Sequence, residues 1–282
     1  MLRLGVQVSI AGNIYRSIER AVSLGCNTMQ IFARNPRRIR QGSLKEEDIE
    51  IFKQKIAQTN ISPLIIHSPY TLNLAADKYS FYKLSIREFI QDLKEAYKLG
   101  AKYLVVHVGN YKGKKEKGLI RVAKALKEIL TKTPNLETEI LLENTTGAGG
   151  WLGDKISHYG VILKNISFNK RVGICLDTAH LWGAGYRINT LRGLEDVLEE
   201  VEKEVGLKRL KLIHLNDTQE ELGTKKDRHY HIGKGKIGRK GISLIINHPF
   251  LRKLPFILET PRKSNDDDQQ NLANTRNLYK NN

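Results

Sequence analysis

Eight short apolar runs, rich in β-branched residues, recur along the chain: "LRLGVQVS" (2–9), "TMQIFA" (28–33), "PLIIHS" (63–68), "KYLVVHVG" (102–109), "EILLEN" (139–144), "RVGICLDTAH" (171–180), "LKLIHLND" (210–217) and "PFILET" (255–260). Between them lie longer segments with apolar residues at helical spacing, such as "KEEDIEIFKQKIAQ" (45–58), "FYKLSIREFIQDLKEAYKLG" (81–100) and "LIRVAKALKEILTK" (119–132). Strands that are apolar on successive residues need cover on both faces, and amphipathic helices between them supply it, so the pattern predicts parallel βα units. Eight such units predict an α/β protein built as a closed (β/α)₈ TIM barrel, one domain over 1–282. An open doubly wound sheet would not need so regular a count.

A chain of 282 residues can bury a core of that size. No apolar run reaches membrane-spanning length, and the opening "MLRLGVQVSI" lacks the charge, long apolar centre and cleavage site of a signal peptide. Cys26 and Cys175 stand far apart, each in an apolar stretch, which suits two reduced, buried thiols and excludes a cysteine zinc knuckle. The expectation is a cytoplasmic protein with no membrane association, nucleoid-associated if bacterial, and a monomer. The 47 Lys and Arg against 30 Asp and Glu leave a formal charge of +17, a field that attracts polyanions. A lysine-rich solvated surface would give the same number, so charge alone does not settle the partner.

Polar donors close one predicted strand after another: His67, His107, Glu143, Asp177 with His180, His214 and Glu259. These strand ends form the active-site face of a barrel. Any one of them alone is more simply a turn former or a satisfied polar group. Six strands ending this way point instead to imidazole and carboxylate ligands of zinc or a neighbouring metal.

After the seventh strand, Asp227 and His229 add two more donors two residues apart, on a loop containing Gly223 that can swing back over the barrel mouth. Nine donors exceed the needs of one tetrahedral ion, so a multinuclear cluster of two or three ions with bridging carboxylates is expected. His231 is read as an exposed loop residue or a phosphate contact, and His158 and His248 as ordinary helical positions. The stretch "GKGKIG" (233–238) matches the dinucleotide-binding glycine pattern, yet no apolar strand directly precedes it. A turn whose amides and lysines face backbone phosphate is the better reading. "TGAGGWLG" (146–153) reads as a flexible loop beside the site.

The segments "LLENTTGAGGWLG", "GICLDTAHLWGAGY", "HLNDTQEELGTKKDRHYHIGKGKIG" and "FILETP" closely resemble, in order and spacing, signature segments of the endonuclease IV family of apurinic/apyrimidinic (AP) endonucleases. The resemblance spans nearly the whole chain, from "VSIAGN" onward. It implies a (β/α)₈ barrel that holds three zinc ions and cuts duplex DNA 5′ to an abasic site, leaving a 3′-hydroxyl.

Carried over by position, His67, His107 and Glu143 would hold one zinc. Glu143, Asp177, His214 and Glu259 would hold a second, and His180, Asp227 and His229 the third. Glu143 would then bridge two ions and orient or deprotonate the nucleophile. The resemblance also assigns Arg37, in "ARNPRR", and Tyr70, in "HSPYTLN", to insertion into DNA at the abasic site; an aromatic ring and a guanidinium plane suit stacking on bases. Thr146 and Ala148 stand where the family loop more often has Ala and Gln, and Ala179 where Cys is frequent.

Phosphodiester hydrolysis fits these ligands on chemical grounds, since divalent zinc both acidifies water and offsets phosphoryl charge. A sugar isomerase or epimerase on the same barrel would prefer mostly carboxylate ligands and gain nothing from +17. A non-enzymatic DNA-binding protein would leave the ligand constellation unexplained.

Overall fold

The computed structural model describes residues 1–39 and 42–280. Eight parallel strands close into a barrel: β1 (Arg3–Val8), β2 (Met29–Phe32), β3 (Leu64–His67), β4 (Tyr103–His107), β5 (Glu139–Glu143), β6 (Val172–Asp177), β7 (Leu210–His214) and β10 (Pro255–Leu258). Each pairs with its neighbour in sequence, and β1 closes the ring against β10 through Arg3↔Pro255 to Val6↔Leu258. A two-stranded antiparallel hairpin, β8 (Asp217–Thr218) with β9 (His229–Tyr230), interrupts the repeat after β7. Sequence periodicity placed all eight barrel strands, and the hairpin is an addition to it.

The helices among the described residues are α1 (Arg16–Ser23), α2 (Glu46–Ala57), α3 (Tyr79–Lys98), α4 (Lys115–Lys132), α5 (Ser157–Asn165), α6 (Thr178–Ala184), α7 (Leu191–Glu204), α8 (Gly238–Asn247) and α9 (Asp267–Leu278). α4 buries Leu119, Val122, Ala123, Leu126 and Ile129, one stripe at helical spacing against the strands. α3 does the same with Ile86, Phe89, Leu93 and Ala96, but its buried side also carries Glu88, Asp92 and Glu95. Two of those acids meet Arg34 from the loop after β2, whose guanidinium lies 2.6 Å from Asp92 and 3.3 Å from Glu88.

Two cores result. The larger lies between strands and helices. The smaller plugs the barrel: Ile65, Tyr103, Val105, Leu141, Cys175, Leu212 and Ile257. Side chains alternate along a strand, so the residue two positions beyond the last plug member on each of these strands also points inward, one layer nearer the C-terminal mouth. Those residues are His67, His107, Glu143, Asp177, His214 and Glu259. Cys26 and Cys175 are both free and buried, as expected.

Candidate metal centre

Six donors thus arrive at the barrel mouth by strand geometry alone. His180 comes differently: the sequence grouped it with the sixth strand end, but β6 stops at Asp177 and His180 sits in the first turn of α6. Asp177 caps that helix, its carboxylate accepting from His180 N at 2.7 Å, so one residue both ends the strand and sets the histidine. The β8–β9 hairpin delivers the remaining two donors. Its connecting loop is tied to α6 by Gly223 N to Trp182 O at 3.0 Å and Lys225 N to Gly183 O at 2.9 Å. Asp227 Oδ1 is thereby held 3.1 Å from His180 Nε2 and 3.5 Å from His229 Nε2.

Donor atoms converge in three groups, each with its atoms within 4.8 Å of one another: His67, His107 and Glu143; Glu143, Asp177, His214 and Glu259; and Asp177, His180 and His229. Glu143 stands at the junction, with Oε2 2.9 Å from His67 Nε2 and 3.0 Å from His107 Nε2, and Oε1 2.9 Å from His214 Nδ1.

Four histidines share a further property. One ring nitrogen donates to a neutral oxygen: His67 Nδ1 to Ser68 O at 2.7 Å, His180 Nδ1 to Asn144 O at 2.9 Å, His229 Nδ1 to Glu259 O at 3.0 Å and His214 Nε2 to Gln30 Oε1 at 2.8 Å. The other nitrogen is then unprotonated when the ring is neutral, and it faces the cluster. Among the described residues His229 Nε2, which is buried, has no hydrogen-bond partner; it lies 3.6 Å from Asp177 Oδ2, a spacing that suits two ligands of one ion.

The charges are strongly coupled. Against the upward push of burial, His214 and His107 hold the Glu143 carboxyl well below the usual carboxylate range. Burial likewise opposes ionisation of Glu259, yet His214 brings it down to about 2. Burial would lower His180, but Asp177, Asp227 and Glu143 raise it to about 10. A set of buried carboxylates that draws protons onto imidazoles is equally ready to exchange them for a divalent cation.

The cavity above these residues, of about 530 Å³, is lined by Gln7, His67, Tyr70, His107, His180, Asp227, His229, Glu259, Thr260 and Arg262. Tyr70 stands half in solvent, its ring 5.3 Å from Phe32 and 5.7 Å from His67. Arg37 is exposed on the loop after β2, its amide bonded to Asn35 Oδ1 at 3.0 Å, and does not line the cavity.

Over residues 18–280 the sequence matches the family described as xylose isomerase-like TIM barrel. "Probable endonuclease 4" of Halothermothrix orenii is 40% identical over 97% of this chain and 98% of its own length. The protein of the same name from Methanoculleus marisnigri is 38% identical over 99% of each. The crystal structure of endonuclease IV from Thermus thermophilus superposes with a TM-score of 0.87, at 32% identity and 98% coverage of both chains. The chain belongs to the endonuclease IV family. A D-tagatose 3-epimerase-like protein, 18% identical with a TM-score of 0.74 over 98% of this chain and 97% of its own, shares the fold alone.

Several features of this endonuclease IV family member escaped the sequence reading. Gln7 and Gln30 hold the inward positions of β1 and β2, where no acidic or imidazole donor stands. Asn144 and Asn216, each just past a strand end, lace neighbouring backbones: Asn144 Oδ1 accepts from Asp177 N at 2.6 Å, and Asn216 Oδ1 from Glu259 N at 2.8 Å. Trp151 packs edge-on against His107 at 5.8 Å. Its loop, expected to be flexible, is pinned by Leu152 N to Gly109 O at 2.9 Å and Tyr111 N to Gly150 O at 3.2 Å. Thr146, one of the departures from the family pattern, ties that loop to the hairpin through Lys225 O at 3.1 Å.

Two expectations are corrected. The amides of "GKGKIG" do not face outward toward a phosphate. Those of Gly233, Gly235, Ile237 and Gly238 converge on the Asp217 carboxylate at 3.0–3.4 Å. A Cβ on Gly235 would fall 2.4 Å from Asp217 Oδ1, which is why glycine stands there. His231 is half-buried, 5.2 Å from the Tyr230 ring, with Nδ1 accepting from Asn271 Nδ2 at 3.1 Å. His158 and His248 lie outside the cluster, as read: His158 accepts from Gly153 N, and His248 faces Glu195.

Proposed function

We propose that this endonuclease IV family member is a zinc-dependent AP endonuclease, hydrolysing the phosphodiester bond 5′ to an abasic site in duplex DNA and leaving a 3′-hydroxyl. The convergence of nine imidazole and carboxylate donors, with the outer nitrogens of four histidines already engaged, carries this reading. His67, His107 and Glu143 would hold one zinc; Glu143, Asp177, His214 and Glu259 a second; His180, Asp227 and His229 a third. Four carboxylates against three divalent ions leave a net positive centre, suited to an anionic phosphodiester. Zinc, when bound, lowers the pKa of water toward about 7 and offsets charge on the phosphoryl oxygens.

The protein's own groups do the rest. Glu143, reaching both sides of the cluster, orients the attacking water and accepts its proton. Tyr70 at the cavity rim and Arg37 on the neighbouring loop fill the gap left by a flipped abasic nucleotide. The chain acts as a single barrel domain over 1–282, a monomer working on DNA in the cytoplasm or nucleoid; among the described residues no helix is long and apolar enough to cross a membrane. The histidine-rich donor set and the +17 charge favour this over sugar isomerisation.

The test is a duplex with one synthetic abasic site, incubated with protein before and after metal stripping, beside elemental analysis. A single nick 5′ to the site, lost on stripping and restored by zinc, is expected, with close to three zinc ions per chain. The variant Glu143→Gln should bind the duplex and lose cleavage by roughly 10²-fold or more. Absence of nicking by the metal-loaded protein overturns the reaction, and one ion or fewer in active protein overturns the trinuclear centre.

A further inference from the structure

Among the described residues, one amide donor at the barrel mouth is used neither by the ligand groups nor by the protein's hydrogen bonds. Gln7, on β1, accepts at Oε1 from Gln30 Nε2 at 2.8 Å. Gln30 is fully committed, giving a second hydrogen to Glu259 Oε1 at 2.7 Å and accepting from His214 Nε2 at 2.8 Å. This chain has a direction. His214 must carry its proton on Nε2 if Nδ1 is to face the cluster, so Gln30 presents its oxygen to His214 and its nitrogen to Glu259 and Gln7. Turning the Gln7 amide over would set two N–H groups against each other.

Gln7 Nε2 is consequently left buried with no acceptor, in a residue that lines the cavity beside Glu259 and His67. The β1 backbone at this point is clamped from the β10 side, because the Arg262 guanidinium bonds Gln7 O and pairs with Asp268 at 2.7 Å. Buried amide donors in proteins are nearly always satisfied, so an unpaired donor on a residue that lines a cavity marks where a ligand oxygen belongs.

We propose that Gln7 is a substrate-binding residue whose Nε2 donates to a non-bridging oxygen of the phosphodiester seated at the metal centre. This rests on the phosphodiester reading above. A neutral amide serves the purpose because a lysine or arginine so near Glu259 would compete with a cation for that carboxylate.

The test measures inorganic phosphate binding to the metal-loaded protein by calorimetry, alongside kcat and KM on the abasic duplex, metal content and melting temperature. For Gln7→Met the expected result is unchanged metal content, with phosphate affinity and kcat/KM each reduced on the order of tenfold, the loss appropriate to a hydrogen bond to a charged acceptor. Wild-type phosphate affinity in a metal-replete Gln7→Met overturns the proposal. Should Gln7→Met shed metal, zinc is added back to wild-type occupancy before the phosphate titration; phosphate binding as tight as wild type then shows a bracing role only and overturns the proposal. If wild type fails to nick DNA but binds phosphate in a Gln7-dependent way, the reaction assignment falls while the oxyanion contact stands.

Discussion

Gln30 decides which atoms of two candidate ligands face the cluster: by binding His214 Nε2 and Glu259 Oε1, it leaves His214 Nδ1 and Glu259 Oε2 turned toward each other at 3.2 Å. Such outer partners usually matter roughly 10–100-fold in metal affinity, so Gln30→Leu should lower zinc affinity by about that factor while the protein stays folded, as read by chelator competition. Unchanged affinity would mean that strand geometry alone orients the ligands. Tyr70→Ala belongs to the same scale. It should keep its metal, yet weaken binding to an abasic duplex by about 1–3 kcal/mol, the range of a base–aromatic stack, and weaken undamaged duplex less; equal losses on both in a gel-shift titration would reduce Tyr70 to general affinity. The six donors at barrel strand ends could be picked out from sequence because imidazole and carboxylate there are chemically conspicuous, and Asp227 and His229 because two such groups stand two residues apart. Gln7, Gln30, Asn144 and Asn216 could not, since an amide has no charge, no titration and no metal preference to betray it. Two-residue alternation would have placed both glutamines inward, but nothing in their chemistry asked the question.

Among the elements, the loop after β2 is tied to α3 by a buried cation among acids, Arg34, and by Gln91 Nε2 donating to Ser43 Oγ at 3.0 Å. Asp92 is pushed up to about 7 by burial, with Arg34 pulling the other way and Glu88 and Glu95 adding to the rise, and among the described residues its Oδ2 has no partner. The folded protein therefore keeps a proton on Asp92 that the unfolded chain releases near pH 4, so between about pH 4 and 7 this group's contribution to stability falls as pH rises, by up to ~1.4 kcal/mol per pH unit. Asp92→Asn cannot titrate. The stability of wild type relative to that variant should decline from pH 5 to 7 in denaturant unfolding, and a pH-independent difference would show that Asp92 is ionised throughout. Element types were legible from apolar periodicity, with boundaries shifting by a few residues: the helix read over 119–132 begins at Lys115, and that over 81–100 runs Tyr79–Lys98. The hairpin and the inward-turned glycine loop were not, because two-residue strands leave no periodic trace and the anion that gathers the amides is Asp217, sixteen or more residues earlier.

For the whole molecule, the excess of 17 positive charges is the property with a direct solution readout. If it faces DNA, log K for duplex should fall linearly with log salt at roughly 0.9 per phosphate neutralised, and filter binding across a salt series measures the slope. A flat response would assign the charge to solvation alone. The strand origins of the donors carry a consequence for biosynthesis. His67, His107 and Glu143 come from consecutive strands, so that trio is complete in the chain once residue 143 has been made. The four-donor group needs β5, β6, β7 and Glu259 beyond β10, the strand that closes the ring against β1. In a growing polypeptide the group of His67, His107 and Glu143 is therefore encoded first, that of Asp177, His180 and His229 next, and the four-donor group last, with the final stave of the barrel. The order in which the donor groups are completed thus follows translation order, and the four-donor group cannot exist before Glu259 has been made.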